Sequence, residues 1–102
     1  MHVIAPKNLL DHLKKTEVAQ RIQRDLVVCY AQQVPVSAVW LKSGTLRTHF
    51  DRRTPRDYTE PGLYLMEAFS ASKTLGYSVK LLPGSEVWIV TKSVLQDFLQ
   101  LA

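Results

Sequence analysis

Helical periodicity at both ends of the chain, and β-branched and aromatic stretches broken at Ser43-Gly44 and Pro83-Gly84, predict an α+β domain. The expected order is an N-terminal helix or helix pair, then hairpin–helix–hairpin–helix. A four-stranded, largely antiparallel sheet would then pack against the helices. At 102 residues this is one α+β domain spanning 1–102, large enough to fold without staples.

Pro6 and Asn8 open the first helix, with Leu9, Leu10 and Leu13 on its apolar edge. Lys14-Lys15-Thr16 interrupts the pattern. A second periodic stretch sets Val18, Ile22, Leu26 and Cys29 or Tyr30 on one face, with Thr16 as its N-cap and Glu17 in its first turn. The reading is therefore one long helix over about 7–32 or two joined at Lys15-Thr16. Gln20, Arg21, Gln23, Arg24 and Asp25 form its solvated face. A helix-turn-helix lacks its turn glycine and its third helix here.

Val34-Pro35 ends the helical region, because proline disfavours helix at the residue before it. Val36–Lys42 and Thr45–Asp51 form a hairpin about Ser43-Gly44. Its register sets Leu41 against Leu46, Val39 against Thr48 and Ser37 against Phe50 on the core side. The other side pairs Trp40 with Arg47, Ala38 with His49 and Val36 with Asp51, so Trp40, Arg47 and His49 share a face.

After the loop 52–57, a helix starts at Thr59 or Glu60 with Pro61 in its first turn. Leu65, Met66 and Phe69 form its apolar edge. Gly76 caps it, with Lys73 in the last turn. Tyr77–Leu82 and Glu86–Thr91 form the second hairpin about Pro83-Gly84. Val87-Trp88-Ile89-Val90 is apolar on both faces, which marks a central strand. Lys92–Leu101 closes as a helix capped by Thr91 or Ser93, with Val94, Leu95, Phe98 and Leu99 inward.

Composition narrows the function classes. Cys29 is the sole cysteine, so an intrachain disulfide and a cysteine zinc cluster are excluded, and it reads as a small buried hydrophobe. No apolar run approaches a membrane span. Met1-His2-Val3-Ile4-Ala5-Pro6 lacks the layout of a secretory signal, so cytoplasm is the expected compartment. With few glycines, neither a phosphate-binding loop nor a dinucleotide fingerprint is present, and His2, His12 and His49 lack metal-motif spacing. No cofactor or metal is expected.

The candidate site is Arg47–Asp57, where a strand runs into an arginine-dense loop. Arginine forks fit phosphate oxygens, and an aromatic face beside them stacks unpaired bases. The net charge of +4 points the same way. The preferred reading is a non-catalytic module contacting a nucleic-acid backbone through Arg47, Arg52, Arg53 and Arg56, with Trp40 as stacking surface and His49 on the same face. The runner-up is an adaptor or inhibitor docking through this patch on an acidic protein surface. A third is a small ribonuclease using His49 with Asp51 as its carboxylate neighbour. Against all three, Asp51 and Asp57 can pair the arginines into a solvated network. The terminal helix can serve core packing or a homodimer interface.

Overall fold

The computed structural model describes residues 6–50 and 52–101. Its class is α+β, but it holds two antiparallel sheets of four strands where the pattern suggested one. Along the chain come α1 (Pro6–Thr16), β1 (Gln20–Arg21), β2 (Leu26–Cys29), β3 (Ala38–Ser43), β4 (Leu46–His49), β5 (Arg56–Tyr58) and β6 (Gly62–Tyr64). Then follow α2 (Met66–Ala71), β7 (Ser78–Leu81), β8 (Glu86–Val90) and α3 (Lys92–Leu101). The first sheet runs β1-β8-β3-β6 and the second β2-β7-β4-β5.

Two-sided hydrophobicity explains this layering. In β3 and β8 successive side chains point to opposite faces. Val39, Leu41 and Val87 face the second sheet and join Leu46, Val79 and Leu81 in the inter-sheet core. Ala38, Trp40, Trp88 and Val90 face the other way, against Leu9 and Leu13 of α1, Phe69 of α2 and partly buried Val94, Leu95 and Phe98 of α3. The central position predicted for β8 is observed, between β1 and β3. Thr91 caps α3 by accepting the Val94 N–H at 3.3 Å.

The N-terminal half departs from its periodicity. Helix α1 stops at Thr16, whose hydroxyl donates to the His12 carbonyl at 2.8 Å instead of capping a second helix. Val18 is 88% exposed, so the apparent stripe Val18–Ile22–Leu26–Cys29 is not a buried face. Ile22 and Cys29 reach the inter-sheet core, as strand geometry and the pairing of β1 with β8 and β2 with β7 allow. The β-branched Val27-Val28 favours that strand. Neither the long helix nor a helix-turn-helix occurs among the described residues.

The expected hairpins give way to pairing between distant strands. β3 pairs with β8 and β6, and β4 with β5 and β7, so Ser43-Gly44 is a corner between sheets. The β7–β8 link crosses the same gap and locks onto this corner. Ser85 is fully buried, accepts the Thr45 N–H at 2.9 Å and donates to the Thr45 carbonyl at 3.2 Å. Gly44 has φ +100°, and a Cβ there would overlap the Ser85 backbone. The predicted Val36–Asp51 pair involves Asp51, which lies outside the described residues, as does His2.

The middle helix is shorter than expected. Residues 56–58 and 62–64 are strands, and α2 starts only at Met66. Leu65 (φ 69°) and Ser72 (φ 53°) take the left-handed conformation at its two ends, so Ser72 terminates it before Gly76.

Candidate ligand pocket and the basic stretch

A cavity of about 650 Å³ opens where β4 and β5 separate from β6, α2 and the 73–77 connection. That volume lies in the range usual for small-ligand sites. The second sheet contributes Leu46, Thr48 and Tyr58, β6 contributes Leu63 and Tyr64, and the far wall holds Glu67, Ala68, Lys73, Thr74 and Tyr77.

Each wall has a local cause. Leu65, in its left-handed turn, swings the chain from β6 into α2. Phe69 anchors α2 from behind, 4% exposed in the helix-side core, while Glu67 and Ala68 line the cavity. The return segment is strapped by Leu75: its N–H donates to the Gln33 carbonyl at 3.1 Å, and its carbonyl accepts the Gln32 N–H at 2.7 Å. The Lys73 N–H donates to the Ala68 carbonyl at 2.9 Å, which fixes where this lysine leaves the backbone.

Aromatic and polar groups share the lining with Leu46, Leu63, Leu65, Met66 and Leu75. The Tyr58 and Tyr64 rings lie 5.9 Å apart, inclined at 59°. Tyr64 donates its hydroxyl to the Glu60 carbonyl at 2.6 Å. Burial pushes the Tyr64 phenol up, with Glu60 and Tyr58 adding to the shift, so it stays a neutral donor. Lys73 has no carboxylate within 4.0 Å among the described residues. Its charge is therefore available to a ligand.

Two arginines of the predicted stretch lie beside this cavity without lining it. Arg56 is the cross-strand partner of Thr48, so its exposed side chain leaves β5 on the pocket face. Phe50 packs on the cavity-lining Tyr77 at 4.7 Å, and the Arg53 guanidinium lies 5.7 Å from the Phe50 ring. Arg52 is exposed at φ 60° in the turn between them.

The remaining predicted residues go elsewhere. Arg47 and His49 are on the outer face of the second sheet, in a smaller cavity of about 340 Å³ with Lys80, Tyr30 and Pro55. Arg47 is held by Asp57 through two hydrogen bonds of 2.7 and 3.0 Å. That bond, with the attraction between the charges, raises the Arg47 pKa and lowers that of Asp57. Lys80, directly opposite Arg47, is paired with Asp25 at 3.0 Å. The outer face is thus a self-neutralised ladder. His49 is exposed, and its carbonyl accepts from the Ser78 hydroxyl at 3.4 Å.

Trp40 is 8% exposed, packed between the first sheet and the helices beside Trp88. It shares no face with Arg47, because β3 and β4 are in different sheets. Its buried ring is not the stacking surface expected of it. The six predicted residues therefore divide among a core, an outer face and an exposed segment beside the cavity. Tyr58, Tyr64, Lys73 and Tyr77 fall in no motif of the sequence. The β4–β5 and β3–β6 pairings bring them together, and their one trace in the sequence is three tyrosines within residues 58–77.

Among the described residues no group of three or more His, Cys, Asp or Glu is arranged to hold a metal ion. No helix there is long and apolar enough to cross a membrane. Cys29 is buried, which raises its thiol pKa and leaves it inert.

No protein-family model and no curated protein matches the chain. Solved structures do match. One, from a cyclic-GMP-dependent signalling pathway that regulates bacterial phytopathogenesis, superposes with a TM-score of 0.73 at 8% identity, over 97% of this chain and 82% of that one. The likeness is one of fold. Another, the Thermus thermophilus catabolite activator protein, gives a TM-score of 0.59 at 13% identity over 97% of this chain. The chain spans about half of that protein, 48% of its length.

Proposed function

We propose that this protein is a non-catalytic small-molecule-binding module whose ligand is a nucleotide held in the cavity between the second sheet and the β6–α2 segment. The observation that carries this reading is the convergence of Lys73 with Tyr58, Tyr64 and Tyr77 on one cavity of about 650 Å³. A lysine ammonium without a carboxylate partner suits a phosphoryl group. Tyrosine faces suit a planar base, and the Glu67 carboxylate accepts hydrogen bonds from sugar hydroxyls or ring N–H groups. The fold shared with a protein of a cyclic-GMP-dependent pathway makes a cyclic nucleotide the first ligand to try.

Isothermal titration with 3′,5′-cyclic GMP tests the proposal. Saturable one-to-one binding is expected, weakened about tenfold by Lys73→Ala, the loss of one charge-assisted hydrogen bond. Absence of binding by cyclic GMP, cyclic AMP and GTP at millimolar concentration would refute it.

A second reading is contact with a nucleic-acid backbone through the loop. It is supported by Arg52, Arg53 and Arg56, exposed and without a carboxylate within 4.0 Å among the described residues. It predicts oligonucleotide affinity that falls steeply with salt, with a shallower slope in Arg52→Ala.

A further inference from the structure

The arginine-rich turn and the cavity are adjoining parts of one surface, and we infer that the pocket is built for a ligand with more than one phosphoryl group. This rests on the nucleotide reading above and specifies its substrate class: a nucleoside di- or triphosphate in preference to a cyclic monophosphate.

Lys73 lines the cavity, whereas the arginines stand beside it and not in its lining. Arg56 leaves β5 on the same face as Thr48, which lines the cavity. Arg53 is tied to the cavity wall through Phe50, which packs on Tyr77. A backbone hydrogen bond from the Arg53 N–H to the Phe50 carbonyl at 3.2 Å closes the turn that holds it there. Cationic groups thus stand both in the cavity wall and beside it. Arg47 provides the contrast within the same strand pair, because Asp57 neutralises it on the opposite face.

A cyclic monophosphate carries one negative charge on one phosphorus, which Lys73 alone can meet. The arginines beside the cavity have nothing to bind on such a ligand. A linear chain of two or three phosphates reaches from Lys73 toward Arg53 and Arg56. Each guanidinium then offers a planar donor fork to phosphate oxygens. The cavity is open to solvent, so the outer phosphates remain hydrated. A polymer would present its phosphates spaced by sugars along the surface, with no need of the tyrosine-lined interior. Single-stranded oligonucleotide is therefore the competitor to measure.

Binding of 3′,5′-cyclic GMP, GDP, GTP and a short single-stranded oligonucleotide is measured by isothermal titration at fixed ionic strength without divalent cations. The wild type should bind GTP about tenfold or more tighter than cyclic GMP. Arg53→Ala/Arg56→Ala should abolish that advantage while leaving cyclic GMP affinity within about twofold, and Lys73→Ala should weaken both ligands. Arg21→Ala/Arg24→Ala, which removes the same charge elsewhere on the surface, should leave the ratio unchanged. Equal affinity for GTP and cyclic GMP, or a ratio that survives the double variant, would overturn the inference while the nucleotide reading stands. A ratio that falls equally in the control variant would reduce it to bulk charge and overturn it too. If only the oligonucleotide binds, or nothing does, the nucleotide reading and this inference fail together.

Discussion

Replacing Gly44 by alanine separates a corner between two sheets from an ordinary hairpin turn. Gly44 has φ +100°, where an L side chain costs about 1–2 kcal/mol. The added Cβ would also overlap the Cα, Cβ and hydroxyl of Ser85. Ser85 is fully buried, and its hydroxyl serves both the N–H and the carbonyl of Thr45. Displacing it leaves buried polar groups unpaired, at about 1–3 kcal/mol. The sum is about 3 kcal/mol, a large share of the ~5–15 kcal/mol that holds a domain folded. Gly84 provides the control, with φ +89° but nothing within 4 Å of where an alanine methyl would stand. Gly84→Ala should cost only the backbone term, about 1–2 kcal/mol. Urea unfolding of both variants, with the m-value unchanged, gives the comparison. Equal losses at Gly44 and Gly84 would mean that the two corners do not interlock, and the two-sheet arrangement would be refuted.

Other consequences follow from burial and from charge. Trp40 and Trp88 are 8% and 5% exposed, so folded-state emission should be blue-shifted and weakly quenched by acrylamide. Efficient quenching would put a tryptophan back on the surface. The folded pKa of Asp57 lies below its unfolded value near 3.9, so stabilisation from its pair with Arg47 is complete above that range and is lost as pH falls through the folded value. In an NMR titration, Arg47→Ala should raise the Asp57 midpoint toward the ordinary range. An unchanged midpoint would mean that the pair does not persist in solution.

Local pattern revealed β3, β4, β7 and β8, missed β1, β2, β5 and β6, and gave the partners poorly. The unbroken apolar run Val87–Val90 correctly indicated an interior strand, because a segment apolar on both sides needs cover on both. The same reasoning applied to Ala38–Leu41 predicts a second layer behind it, yet a serine–glycine pair looks alike in a hairpin and in a sheet-crossing corner. What decides is Ser85, forty residues further on. Val18–Cys29 carried a helical period by coincidence. Only the pairing of β1 and β2 with later strands makes Ile22 and Cys29 core residues while Val18 is exposed.

The candidate site was legible in part for the same reason. Clustered arginines are visible in one dimension, yet none of them lines the cavity. Alternation along β4 and β5 then decides which charges face it, sending Arg47 to Asp57 and the outer side. The tyrosines and Lys73 come from segments that meet only through tertiary pairing.

The most direct test of nucleotide binding in the cavity is an amide-resolved NMR titration with 3′,5′-cyclic GMP and GTP. Shifts are expected to centre on Thr48, Tyr64 to Ala68 and Lys73 to Tyr77, extending to Arg53 and Arg56 with GTP alone. Shifts confined to Arg47, His49 and Lys80 on the outer face, or none at saturating ligand, would contradict it.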